Sequence, residues 1–194
     1  WMPDGSMLIV SMTDRRVLRL FPNGSLREHA NIVAQTGSYA NDMVVDRTGR
    51  AYVSNIGFNI LEGEKPRRAA IVRIDPDGTA SIAAADLDYP NGLVISPDGG
   101  TLIAAETFGA RLTAFSIADD GSLSDQRVWA QVGTPPPWDS VETLMQTDFA
   151  PDGCAIDVEG CIWVADAING RVLRIAPGGK ILEEIKAPDE LGIY

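Results

Sequence analysis

Short apolar runs alternate along this chain with clusters of Gly, Pro, Asp and Asn, and one pattern recurs four times. The copies are "PDGSMLIVS" (3–11), "RTGRAYVSN" (47–55), "DGGTLIAAE" (98–106) and "VEGCIWVAD" (158–166). Each is a glycine turn followed by a β-rich strand that ends in small or polar residues. Their glycines, Gly5, Gly49, Gly100 and Gly160, are 44, 51 and 60 residues apart. A second unit follows each copy: 16–30, 70–84, 111–130 and 171–185, each strand, turn, strand. The turns carry P-N-G, P-D-G, D-D-G or P-G-G, which reverse an extended chain tightly. Helical periodicity is confined to a turn around "DSVETLMQ" (139–146).

One full unit is therefore a four-stranded antiparallel meander, and repeats of about 40 to 50 residues are the signature of propeller blades. The expected fold is all-β: a β-propeller with about four four-stranded blades in this chain. In such a meander the start of strand one, the end of strand two, the start of strand three and the end of strand four share one face. That sorting puts every long connection on one side: 31–42, 56–69, 106–110, 131–153 and 166–170. Function is expected on that loop-rich face. Because rings close with about four to eight blades and these loops are long for a four-bladed ring, 1–194 reads as a single propeller domain incomplete at both ends.

Composition narrows the partners. A formal charge of −11 leaves no clustered Lys and Arg for a phosphate backbone, so no nucleic-acid partner is expected. No run approaches the roughly 18 apolar residues of a membrane span and no leader is visible, so a cytoplasmic protein with no membrane partner is expected. Cys154 and Cys161, a C-x6-C pair without His-rich company, read as packed thiols. His29, the one histidine, reads as an outer-strand or loop residue. "NGS" at 23–25 reads as a turn.

The candidate chemistry lies just before the innermost strand of three blades, where "YANDMVVD" (39–46), "YPNGLVIS" (89–96) and "APDGCAID" (150–157) align. Asn41, Asn91 and Asp152 hold equivalent positions, which in a propeller surround the central axis. Each taken singly is explained as a turn or cap residue. Three oxygen donors in register instead point to a hard divalent cation.

The segments "NDMVVDRTGRAYVSN", "YPNGLVISPDGGTLIAAETFGARLTAFSI" and "APDGCAIDVEGCIWVADAINGRVLRIAPGGKIL" resemble successive blades of the SMP-30/gluconolactonase/LRE-like family, over nearly the whole chain. The resemblance implies a six-bladed propeller in the full protein, one central divalent cation (Ca, Zn, Mg or Mn) and hydrolysis of a small-molecule lactone. It makes Asn41, Asn91 and Asp152 metal ligands, with Asp152 also the catalytic residue nearest the reacting carbonyl. The family's fourth ligand, a Glu in a motif like E-G-P-x-W, has no match here and is expected before Trp1. Tyr39 stands where sugar-lactone members often carry a substrate-holding Arg, and Asn59 falls near a position that is acidic in some of them. Together with Phe58 these are the expected substrate-lining residues, and the departures argue against copying an aldonolactone preference. The loop 131–153, with three prolines, Trp138 and Met145, reads as a stiff lid or as a decorated connection. Two rivals remain: an NHL-like binding propeller and a metal-independent enzyme of the strictosidine-synthase-like kind. Neither needs the oxygen set.

Overall fold

A computed structural model describes residues 1–188 and 191–194. The first sheet holds β1 (Met7–Ser11), β2 (Arg16–Leu20) and β3 (Leu26–Asn31). The second holds β4 (Ala40–Val45), β5 (Ala51–Asn55), β6 (Ala69–Ile74) and β7 (Ala80–Leu87). The third holds β8 (Pro90–Ile95), β9 (Thr101–Glu106), β10 (Arg111–Ile117) and β11 (Leu123–Gln131). The fourth holds β12 (Pro151–Ile156), β13 (Ile162–Asp166), β14 (Arg171–Ile175) and β15 (Ile181–Lys186). All are antiparallel meanders in chain order, the blades of a propeller. The first has three strands rather than the four expected, because its pattern begins at the glycine turn before β1 and supplies no inner strand.

The turn chemistry explains the register. In the β4–β5 turn the Asp46 carboxylate accepts the backbone N–H of Thr48 at 2.8 Å and of Arg50 at 3.0 Å, while Gly49 takes φ 88°. The β12–β13 turn repeats this, with Asp157 accepting from Glu159 and Cys161 and Gly160 at φ 77°. A left-handed residue closes each turn, where a side chain would be strained.

Consecutive sheets pack face to face through three apolar layers. Leu8, Val17 and Ile32 meet Val53, Val72 and Ile74 between the first and second sheets. Tyr52 and Ile71 meet Leu102 and Phe115 between the second and third, and Ile103 and Leu112 meet Val164 and Leu173 between the third and fourth. Alternation along β5 sends Val53 one way and Tyr52 the other, so the whole strand is buried. Each such side chain contributes about 1.5–3 kcal/mol by leaving water. Trp129 packs in the third layer. Trp163 lies on the opposite side of β13, under the Arg174 guanidinium, 5.8 Å from its ring centre. The reason is alternation, since Ile162 and Val164 take the core side.

The turn expected at 139–146 is α1 (Val141–Leu144), capped reciprocally by Ser140 and Thr143. Among the described residues no helix is long and apolar enough to cross a membrane.

Candidate functional site

The inner strands β4, β8 and β12 lie side by side, and each carries the same irregularity. Ala40 pairs with Asn55 but Met43 with Val53; Pro90 pairs with Glu106 but Leu93 with Ala104; Pro151 pairs with Asp166 but Cys154 with Val164. One extra residue is thus inserted in each inner strand, and a bulge of this kind re-aims a side chain. Asn41, Asn91 and Asp152 are each the first residue inside it.

The bulges bring the three together. Asn41 Nδ2 donates to Asn91 Oδ1 at 2.7 Å. Asn91, 4 % exposed, donates from Nδ2 to Thr107 Oγ1 at 3.3 Å, and Thr107 in turn donates to the Pro151 carbonyl at 2.8 Å. Burial raises the Asp152 carboxyl above its ordinary range; the Asn91 amide and the Gly153 N–H oppose the rise and the Asp42 charge adds to it. The strands can approach because Gly92 has no side chain, since a Cβ there would stand 2.4 Å from the Asp152 carbonyl oxygen.

Two residues at this centre escaped the sequence reading. Asp42, the second residue of its bulge, accepts the N–H of Met43 at 2.7 Å and of Leu93 at 3.0 Å, and burial raises its carboxyl. Tyr89 places its hydroxyl 3.4 Å from Asn41 Nδ2, with its ring tilted against Phe108 at 5.3 Å. Burial first, and then the Asp152 charge, push that phenol up to about 12. Its signal was visible: Tyr89 stands two residues before Asn91 as Tyr39 stands before Asn41.

Outward from this centre, Tyr39 and Asn59 line one cavity with Thr13, Arg15, Ser38 and Glu64, between the loops of the first and second sheets. Asn59 caps a one-turn helix at Ile60–Glu62, and Glu64 accepts from the Asn59 N–H at 2.9 Å and from Arg67 at 2.8 Å. Arg15, at φ 53°, donates to the Thr36 carbonyl at 3.2 Å and has no carboxylate partner among the described residues. Phe58 is placed elsewhere than the sequence suggested. It is fully buried against Phe108, in a cluster with Leu144 and Trp138, because an apolar ring on a loop is best removed from water by another loop. Trp138 meets Phe108 edge-on at 6.2 Å and lies under Arg68, whereas Met145 is exposed. The loop 131–153 therefore roofs the aromatic cluster beside the centre.

Both cysteines are free, as expected of packed thiols. Burial, with the charges of Asp42 and Asp152, pushes the Cys154 thiol up to about 12, which makes it a poor nucleophile. Among the described residues no three His, Cys, Asp or Glu side chains converge. A cation here would be held by two amide oxygens and one carboxylate, a donor set that suits a hard divalent ion. The Asn41 amide presents nitrogen to Asn91 and would need to turn over to offer its oxygen.

Comparison with known proteins agrees with this architecture. A 6-deoxy-6-sulfogluconolactonase from Pseudomonas putida is 28 % identical over 170 residues, 88 % of this chain and 50 % of that protein. A pentonolactonase from Haloferax volcanii is 25 % identical over 188 residues, 96 % of this chain and 57 % of that one. The chain thus spans about half the length of these curated relatives. The crystal structure of regucalcin, a calcium-binding protein from Agrobacterium tumefaciens, superposes with a TM-score of 0.73 at 23 % identity, covering 95 % of this chain and 58 % of that one. Residues 1–192 match the SMP-30/Gluconolactonase/LRE-like region, and the chain belongs to that family.

Proposed function

We propose that the whole protein is a lactone hydrolase whose centre is built by Asn41, Asn91 and Asp152 around one divalent cation. The observation that carries this reading is the triple bulge: three adjacent inner strands each spend one extra residue at the same place, and each aims an oxygen-bearing side chain there. Three independent turn residues would have no reason to meet, yet Asn41 and Asn91 are in contact and Asn91 acts on Asp152. Lactonase names among the relatives support the reaction class.

When bound, the cation would polarise the ester carbonyl and lower the pKa of an attacking water. The rest falls to this chain. Asp152 is half-buried, which strengthens its pull on a proton, and the nearby Asn91 amide and Gly153 N–H temper that pull by favouring its charged form. In that position it accepts the proton that water loses on attack, a contribution of about 10² to 10⁴-fold for a well-placed base. The Tyr39 cavity holds the rest of the substrate. Its hydroxyl, amide, guanidinium and carboxylate groups suit a lactone that carries hydroxyls better than a bare aliphatic ring. The proposal extends to a six-bladed ring in the cytoplasm.

The test is hydrolysis of hydroxylated and aliphatic lactones by the whole protein, before and after chelation and beside Asp152→Ala. Activity that falls with chelator, returns with a divalent ion and is absent in Asp152→Ala is the expected result. A folded protein that turns over no lactone with any divalent ion, and is indifferent to Asp152→Ala, would move the assignment to a binding propeller.

A further inference from the structure

We propose that the Tyr89 hydroxyl is the hydrogen-bond donor that stabilises the oxyanion formed on the lactone carbonyl, a catalytic role that rests on the hydrolase reading above. Three features carry it. The hydroxyl oxygen accepts from Asn41 Nδ2 at 3.4 Å, while its own hydrogen has no acceptor among the described residues. A tyrosine hydroxyl keeps that hydrogen at neutral pH, so in this arrangement it is a donor without an acceptor among the described residues. When Asn41 turns its oxygen to a cation, that oxygen is engaged by the ion and the Tyr89 hydrogen stays available to the substrate at the point where Asn41, Asn91 and Asp152 meet.

The second feature is the backbone. Tyr89 sits at φ 60°, a region that costs a bulky residue about 1–3 kcal/mol and survives only where the surroundings over-determine it. Here they do. The fully buried Glu106 carboxylate accepts the Asp88 N–H at 2.6 Å, and the carbonyls of Asp88 and Tyr89 accept from Phe108 at 3.0 Å and Thr107 at 2.9 Å. The third feature is the Phe108 ring, whose contact with Tyr89 restricts the phenol to one orientation.

In the step concerned, the water oxygen bonds to the carbonyl carbon and the π pair moves onto the carbonyl oxygen. That oxygen accepts the Tyr89 hydrogen bond without taking the proton. Asp152 takes the proton lost by water. When the tetrahedral carbon collapses, the ring C–O bond breaks and the leaving alkoxide receives the proton back from Asp152. Atoms and charge balance, and no co-reactant beyond water is needed.

Tyr89→Phe removes the donor and keeps the ring. It is expected to lower kcat by about 100-fold, in the range seen when one oxyanion donor is removed. KM, calcium affinity by titration calorimetry and the thermal midpoint are expected to stay within about threefold or a few degrees of the parent. A kcat within about threefold of the parent overturns the role. So does a calcium affinity that falls in step with kcat, because the hydroxyl would then act by holding Asn41. A parent that turns over no lactone removes the hydrolase reading and this role together; an active parent beside an equally active Tyr89→Phe removes this role alone.

Discussion

Asp42 on the second sheet accepts the backbone N–H of Leu93 on the third at 3.0 Å, and so joins two inner strands that share no ladder. The bond ties one bulge to the next, because Asp42 lies inside the first and Leu93 closes the second. Asp42→Ala would leave that N–H without its acceptor at a cost of about 1–3 kcal/mol, whereas Asp42→Asn keeps an oxygen there and is expected to lose less. Urea unfolding of the two variants checks the order. Equal midpoints for Ala and Asn would show that the bond contributes nothing.

Gly92 is the matching point on the next junction. A methyl group there meets the Asp152 carbonyl at 2.4 Å and the Cys154 nitrogen at 2.8 Å, both backbone atoms that cannot swing aside. Gly92→Ala is expected to push β8 and β12 apart, costing about 1–3 kcal/mol as overpacking does, and to remove lactone turnover along with stability. A parent-like melt with intact turnover would contradict this.

Glu106 is fully buried and depends on Arg111, whose Nε lies 3.0 Å away and whose other end reaches Asp88 at 3.3 Å. Arg111→Met strands the Glu106 carboxylate at the segment that holds Tyr89, while Asp88 keeps Arg68 at 2.7 Å. The expected loss is about 3–5 kcal/mol, the scale for breaking a buried pair from one side. Chemical denaturation measures it.

Asp152→Asn separates metal binding from folding. Since burial disfavours the charged carboxylate, a neutral amide of the same shape should leave the chelator-treated protein at least as stable at neutral pH. Removing the one anionic donor that this chain supplies should weaken calcium binding by more than about 10-fold. Melting in chelator, paired with calorimetric titration, reads both; unchanged calcium affinity would place the ion elsewhere.

Arg15→Ala tests the outer cavity. Losing a charged donor beside Tyr39 is expected to raise KM for hydroxylated lactones about 10-fold, the scale of one charge-assisted hydrogen bond, with little change for an unsubstituted ring. An equal effect on both substrates would assign Arg15 a purely structural part.

Much of the fold was legible because the propeller writes itself locally. The Asp46 and Asp157 turns specify their hairpins through bonds spanning a few residues, and the Val53–Tyr52 alternation announces a strand buried on both faces. The register of Asn41, Asn91 and Asp152 was legible for the same reason, since a repeat aligns with itself. Phe58 was misplaced because its partner, Phe108, lies on another blade, and nothing near position 58 reveals whether an apolar ring faces solvent or a neighbour.

Legible in the repeats, then, were the strands from β1 onward, their turns, the order of the blades and the equivalence of the three positions at their inner ends. All of these follow from contacts within a repeat. Only the tertiary structure decided that each axial position sits in a bulge, that Asp42 spans two sheets, that Tyr89 holds a left-handed backbone with its hydroxyl on Asn41, and that Arg15 shares a cavity with Tyr39. Apart from the bulges, which form within a blade, these are relations between blades, joining residues roughly 24 to 51 positions apart. They are set by how closely neighbouring sheets pack, which no local pattern encodes.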